Sequence, residues 1–167
     1  MKTLILVRHA KSSWDTTGID DFDRPLNERG KKDAPEMAKR LRKRRISIDL
    51  FLSSPAKRAL KTAECFADEF KLAKTKVSFV DQLYHASVAT FVKVVDEISD
   101  RFSCAIMFSH NPGITDYANS LTNVHIDNIP TCGIFAVQAD VNSWSAFNKS
   151  EKFFLFFDYP KNPLAML

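Results

Sequence analysis

Four residues of unbroken apolar character, Leu4 to Val7, run directly into Arg8 and His9. A run this short and without alternation reads as a strand buried on both faces, which is the habit of a parallel sheet covered by helices on either side. Two later runs repeat the pattern. Leu50-Phe51-Leu52 stops at Ser53-Ser54-Pro55, and Cys104 to Phe108 stops at Ser109-His110-Asn111-Pro112-Gly113. Between the runs, apolar residues recur at helical spacing: Ala34, Met37, Ala38 and Leu41; Ala59, Ala63, Phe66, Ala67 and Phe70; Phe91, Val94, Val95 and Ile98; Ile114, Tyr117, Ala118 and Leu121. Alternating strands and helices predict an α/β protein, a three-layer α/β/α sandwich around a mostly parallel mixed sheet. The length of 167 residues suits a single domain over residues 1–167.

Helix signals punctuate the pattern. Asn27 is placed to cap the first helix, with Pro35 inside it as a kink or an open turn; Ser87 caps the third. Ser54 and Asn111 are expected as N-caps, with Pro55 and Pro112 at the first helical positions behind them. A helix beginning at Pro112 would aim free backbone N–H groups beyond the strand end, where a phosphate can sit. Further strands are expected over Val77–Val80, Gly133–Gln138 and Phe153–Phe157. The last is so continuously apolar that it should be covered. The polar stretch from Ala10 to Asn27, anchored by Trp14 and Phe22, reads as a functional loop.

Charge and composition exclude some partners. The net charge of +4 favours anions, and six of the seven residues from Lys39 to Arg45 are basic. They end a predicted helix, where the dipole favours cations, and no aromatic residue interleaves them to stack on bases, so no nucleic acid is expected. No apolar stretch approaches the length of a membrane span, and Arg8, His9 and Lys11 cut short any secretory signal, so no membrane association and a cytoplasmic location are expected. Cys65, Cys104 and Cys132 lie far apart, without metal-ligand spacing, and read as buried thiols in a reducing compartment.

In such a sheet the strand ends share one edge, where open α/β sheets bind their ligands. Arg8, His9 and His110 come from strand ends, and Arg58 lies in the first turn of the helix after the second run. Long helical side chains lean toward the helix N-terminus, so Arg58 points back at the same edge. Two arginines, two histidines and a helix N-terminus suit a small, highly charged anion, and no acidic cluster offers to hold a metal. Phosphoryl transfer requires charge compensation on the equatorial oxygens and in-line attack; arginines supply the first and a neutral imidazole nitrogen the second.

The segments Leu6-Val7-Arg8-His9-Ala10, Ser53 to Ala63 and Ser109 to Gly113 together resemble the histidine phosphatase superfamily, also called phosphoglycerate-mutase-like. Arg24-Pro25-Leu26-Asn27-Glu28-Arg29-Gly30 and the short length narrow the likeness to the SixA-type phosphohistidine phosphatases. The similarity runs from Thr3 to about Val137. It implies a phosphoglycerate-mutase-like fold and a metal-independent phosphatase without cofactor, with His9 as nucleophile, Arg8 and Arg58 clamping the phosphate, and His110 completing the pocket. Arg24 would bind phosphate or orient the substrate, with Asn111 and Thr131 as further binding residues.

One departure from the superfamily pattern bears on the substrate. Many members carry a glutamate after the third strand that protonates the leaving oxygen, whereas here the region reads Leu83-Tyr84-His85-Ala86. The missing acid favours a P–N substrate, protein phosphohistidine. The alternatives are a small phosphorylated substrate, with Asp81 or His85 as proton donor in a phosphomonoesterase or mutase, and a non-catalytic phosphate-binding module. His125 is expected to be structural.

Overall fold

The three apolar runs become neighbouring strands. The computed structural model describes residues 1–15 and 17–166. Strands β1 (Lys2–Arg8), β2 (Leu50–Ser53), β3 (Val77–Phe79), β4 (Cys104–Ser109), β5 (Ile134–Ala139) and β6 (Phe153–Asp158) form one sheet in the order β3-β2-β4-β1-β5-β6. The pairs among β3, β2, β4 and β1 are parallel, while β5 pairs antiparallel with both β1 and β6. Because β2, β4 and β1 are adjacent and parallel, their C-terminal ends lie side by side. The register sets Arg8 against Ser109 and Ser53 against Phe108.

Helices α1 (Glu28–Lys43) and α2 (Lys57–Glu69) cover one face, and α3 (Val88–Asp96) and α4 (Gly113–Leu121) cover the other. The alternation of side chains along β1 divides the core accordingly. Leu4 and Leu6 pack with Phe91 and Tyr117, and Ile5 and Val7 with Met37 and Phe66. Nothing along β1 faces water until Arg8, which explains the continuous apolar run.

Asn27 caps α1 as expected, its side chain accepting from the Gly30 N–H at 2.9 Å, and Pro35 does not divide the helix. Ser87 caps α3 through the Thr90 N–H. The other two capping expectations need correction. Helix α2 starts at Lys57 behind Ala56, and α4 at Gly113 behind Pro112, neither with a side-chain cap. Ser54 and Asn111 are used elsewhere. Ser54 Oγ accepts from the Ala56 N–H and bonds His110, while Asn111 Oδ1 accepts from the Thr115 hydroxyl at 2.6 Å.

Strand β6 is a second correction. It is an edge strand on which Phe153, Phe154 and Leu155 are exposed, while Phe156 and Phe157 pack against the helical layers and the buried Asp158 pairs with Arg40 of α1. The first half of β6 extends beyond the helical cover of the sheet. Trp14, expected as an apolar anchor, is 72% exposed, and Phe22 is exposed as well. Cys104 and Cys132 are buried and Cys65 half-buried, all three unpaired.

Candidate active site

The site begins with backbone bonds that tie strand ends together. The His9 N–H donates to Ser109 O at 3.1 Å, linking β1 to β4, and the Cys132 N–H donates to both Arg8 O and His9 O at 3.0 Å. The Ala10 N–H donates to Thr62 Oγ1 at 2.9 Å, and that hydroxyl donates to Arg58 O at 2.8 Å. One buried threonine thus couples the chain just after His9 to the first turn of α2, which carries Arg58.

His9 is held in a single tautomer. Its Nδ1 lies 2.7 Å from Ala10 O; a carbonyl only accepts, so Nδ1 carries the hydrogen and Nε2 keeps its lone pair. Burial, reinforced by Arg58, Arg8 and Arg24 and opposed by the bond to Ala10, pulls the ring's pKa down to about 3. The imidazole is therefore neutral at ordinary pH. The Arg58 Nε donates to Nε2 across 3.4 Å. His110 stands beside it with ring centroids 5.1 Å apart; its Nε2 lies 2.7 Å from Ser54 Oγ. Burial first, then His9 and Arg58, push His110 to about 2.

Arg8, Arg24 and Arg58 surround the two rings. Arg58 is almost completely buried. Arg8 donates through Nη1 to Ile129 O at 3.0 Å, and burial followed by the Arg58 charge lowers its pKa. Arg24 donates through Nη1 to Ser12 Oγ at 2.6 Å and lies 3.5 Å above the Trp14 ring. The loop that carries it is folded back on itself, since Ser12 pairs antiparallel with Leu26 and the Asn27 N–H donates to Lys11 O. Arg8 Nε and His110 Nδ1 are buried with no partner among the described residues. Buried polar atoms without a protein partner are rare and call for a water, an ion or a catalytic role to account for them.

Together these groups line a cavity of about 260 Å³ that also takes in Asp21, His85, Asn111 and Thr131. It offers three guanidiniums to a tetrahedral oxyanion and one unprotonated imidazole nitrogen, His9 Nε2, to its central atom. Among the described residues, no group of three or more His, Cys, Asp or Glu side chains could hold a metal ion.

Comparison with known proteins names this arrangement. The family model of the histidine phosphatase superfamily (branch 1) matches residues 4–85. An uncharacterised chloroplastic protein of Arabidopsis thaliana is 33% identical over 153 residues, covering 86% of this chain and 69% of its own. This chain belongs to the histidine phosphatase superfamily. Within it, phosphoserine phosphatase 1 of Hydrogenobacter thermophilus is 35% identical over 104 residues, 61% of this chain and 47% of that protein. The structure of the protein histidine phosphatase SixA complexed with tungstate superposes with a TM-score of 0.80 at 20% identity, covering 95% of this chain and 97% of that one. The histidine phosphatase fold is therefore shared along nearly the whole chain.

Of the residues singled out from sequence, Arg8, His9, Arg24, Arg58, His110, Asn111 and Thr131 converge on this one cavity, and His85 stands at its exposed side. Asp81 does not join them. It is an exposed residue of a short turn over Asp81–Leu83, outside the cavity lining. The expected helix N-terminus is also partly spent, because the Ile114 N–H donates to His110 O. His125 lies at the surface beside Asp127.

Lys11, Ser12, Trp14 and Asp21, which line the cavity, and Ser54, Thr62 and Tyr84, which bond to its residues, were not singled out from sequence as site residues. Asp21 sits in a short 3-10 turn over Asp21–Asp23, its Oδ1 accepting from Arg24 Nε at 3.0 Å and its Oδ2 from Arg58 Nη2 at 3.0 Å and from the Tyr84 hydroxyl at 2.6 Å. Partial burial opposes ionisation, but Tyr84, Arg58 and Arg24 outweigh it and hold the Asp21 carboxyl well below the usual range. Its spacing of three residues from Arg24 is the one signal that could have found it.

Proposed function

We propose that this chain is a phosphohistidine phosphatase that needs no metal and works through a phosphorylated His9. The observation that carries the reading is the pinned tautomer of His9: Nδ1–H on the Ala10 carbonyl, Nε2 unprotonated inside a ring of three arginines and held only by the 3.4 Å bond from Arg58 Nε. In the first step the Nε2 lone pair attacks phosphorus while the P–N bond of the substrate breaks, its electron pair leaving with the substrate nitrogen. Arg8, Arg24 and Arg58 compensate the oxygens, and His110 steadies the charge that builds on them. Water then attacks the phosphorylated His9, releasing inorganic phosphate and the free imidazole.

Three observations support a P–N substrate. The chain shares its fold with the SixA histidine phosphatase. No glutamate stands in the segment Val80 to Ala86 directly after β3. Asp81, which could have replaced it, lies outside the cavity. His85 does line the cavity, and with the phosphoserine phosphatase among the relatives it favours the second reading, a phosphomonoesterase with His85 as acid. No helix among the described residues is long and apolar enough to cross a membrane, and three unpaired cysteines suit the reducing cytoplasm proposed for it.

The test is phosphate release, with chelator present, from a protein bearing phosphohistidine and from O-phosphoserine. Faster turnover of phosphohistidine is expected, together with an acid-labile phosphoenzyme that is absent, along with all turnover, in His9→Ala. Full activity in His9→Ala would sink the mechanism, and preference for phosphoserine would move the assignment to the second reading.

A further inference from the structure

We infer that Asp21 selects the leaving group: its carboxylate receives the ring N–H of a phosphoimidazole and keeps that ring cationic while the P–N bond breaks. This rests on the phosphohistidine reading and names the group that makes it specific.

A carboxylate in this position demands a reason. Asp21 partly neutralises two of the three arginines of an anion site, bonding Arg24 through Oδ1 and Arg58 through Oδ2, while its own carbonyl accepts from Arg58 Nη1 at 2.6 Å. For a phosphoester that is a double handicap. It weakens the attraction for the phosphoryl oxygens and repels the negative charge developing on the leaving oxygen. Nor can Asp21 relieve that charge by donating a proton, because Tyr84, Arg58 and Arg24 all donate to it and hold it ionised.

The same charge is an advantage when the leaving group is cationic. An ionised carboxylate has about four acceptor positions. Two on Oδ2 and one on Oδ1 are filled from inside the site, so the remaining position is on Oδ1, and the Asp21 side chain is 41% exposed. A single guanidinium separates this carboxylate from the nucleophile, since Arg58 Nε lies 3.4 Å from His9 Nε2 and Nη2 lies 3.0 Å from Asp21 Oδ2. We seat the phosphoryl group between His9 and Arg58 with its leaving ring toward Asp21, which lines the same cavity.

The atoms balance without an external acid. The substrate imidazole is phosphorylated on one nitrogen and protonated on the other. As His9 Nε2 bonds to phosphorus, the substrate P–N bond breaks, its electron pair returns to the ring, and a neutral imidazole departs with its distal N–H intact. An unprotonated ring would have to leave as an imidazolide anion. An opposite charge at hydrogen-bond distance favours the protonated ring and opposes the anion. Asp21 thus fills, by accepting a hydrogen bond, the place that a proton-donating acid fills in phosphoester cleavage.

The experiment compares wild type, Asp21→Asn and Tyr84→Phe on phosphoimidazole and on O-phosphoserine, reading kcat/KM for each across pH. Asn keeps the size of Asp and an acceptor for the arginines. In Asp21→Asn the ratio of phosphoimidazole to phosphoserine turnover is expected to fall at least tenfold, and the alkaline limb for phosphoimidazole to move down by about one pH unit. In Tyr84→Phe, which loosens the same loop but leaves the charge, the ratio is expected to stay within about threefold of wild type. An equal loss on both substrates in Asp21→Asn would reduce Asp21 to a support for Arg58 and overturn the inference, as would a drop in the ratio for Tyr84→Phe as large as that for Asp21→Asn. A wild type that turns over phosphoserine and not phosphoimidazole would instead overturn the phosphohistidine reading itself.

Discussion

At the scale of single residues, the site depends on keeping two buried imidazoles neutral. His9 and His110 are held at about 3 and about 2, chiefly by burial, while in the unfolded chain both titrate near ~6.5. Between those values the unfolded state binds more protons than the native state, so stability is fully present above about pH 6.5 and declines as the pH falls toward 3. Each unit of pH in that window removes about 1.4 kcal/mol per histidine. Asp21, with its lowered pKa, adds its own acid sensitivity only below the ordinary carboxylate range. Denaturant titrations at pH 7.5 and pH 5 therefore isolate the histidines. The wild type is expected to lose on the order of 2–4 kcal/mol, and a His9→Gln, His110→Gln double variant clearly less. An identical loss in both would mean that the imidazoles titrate normally in the fold.

Among the elements, the loop between β1 and α1 is the one that the site depends on most. It delivers Asp21 and Arg24 to the cavity, and its return depends on Asn27 and Gly30. Asn27 Oδ1 caps α1, and the Asn27 N–H donates to Lys11 O. Gly30 faces the same Lys11 carbonyl so closely that a Cβ there would collide with backbone. Backbone cannot swing aside as a flexible side chain can, so Gly30→Ala pushes α1 off the loop. We expect it to destabilise by about 1–3 kcal/mol, the range of overpacked core positions, against about 1 kcal/mol for loss of the cap in Asn27→Ala. Thermal unfolding of the two variants checks the order; equal effects would place the loop's closure in the cap alone.

Across the whole molecule, the exposed edge is the feature that calls for an explanation. Strand β6 leaves Phe153, Phe154 and Leu155 at the surface of an unpaired edge, which is ordinarily a template for aggregation. The pairing with β5 supplies a safeguard. Val137 faces Phe154 and Ala136 faces Phe156, so Leu155 is an extra residue in a bulge that interrupts the ladder. A bulge bends the edge and spoils its register for a second strand. Leu155→Lys is expected to change unfolding stability by no more than about 0.5 kcal/mol while reducing light scattering in concentrated solution. A large loss of stability would show that Leu155 packs inward.

The sequence by itself determined the layered α/β architecture, the buried central strands and the convergence of Arg8, His9, Arg58 and His110. Each of these follows from local periodicity and from where a parallel strand must end. Only the tertiary structure decided which polar residues of the intervening segments would face the same cavity. Asp21 and Tyr84 are far apart in the chain, and no local pattern says that a loop turn and the segment after β3 meet over one arginine. Ser54 and Asn111 read equally well as helix caps because a cap and a site residue require the same side-chain oxygen. The exposure of β6 was hidden for a related reason. An apolar run records the chemistry of a strand, whereas its cover depends on how far the helices of other segments reach across the sheet.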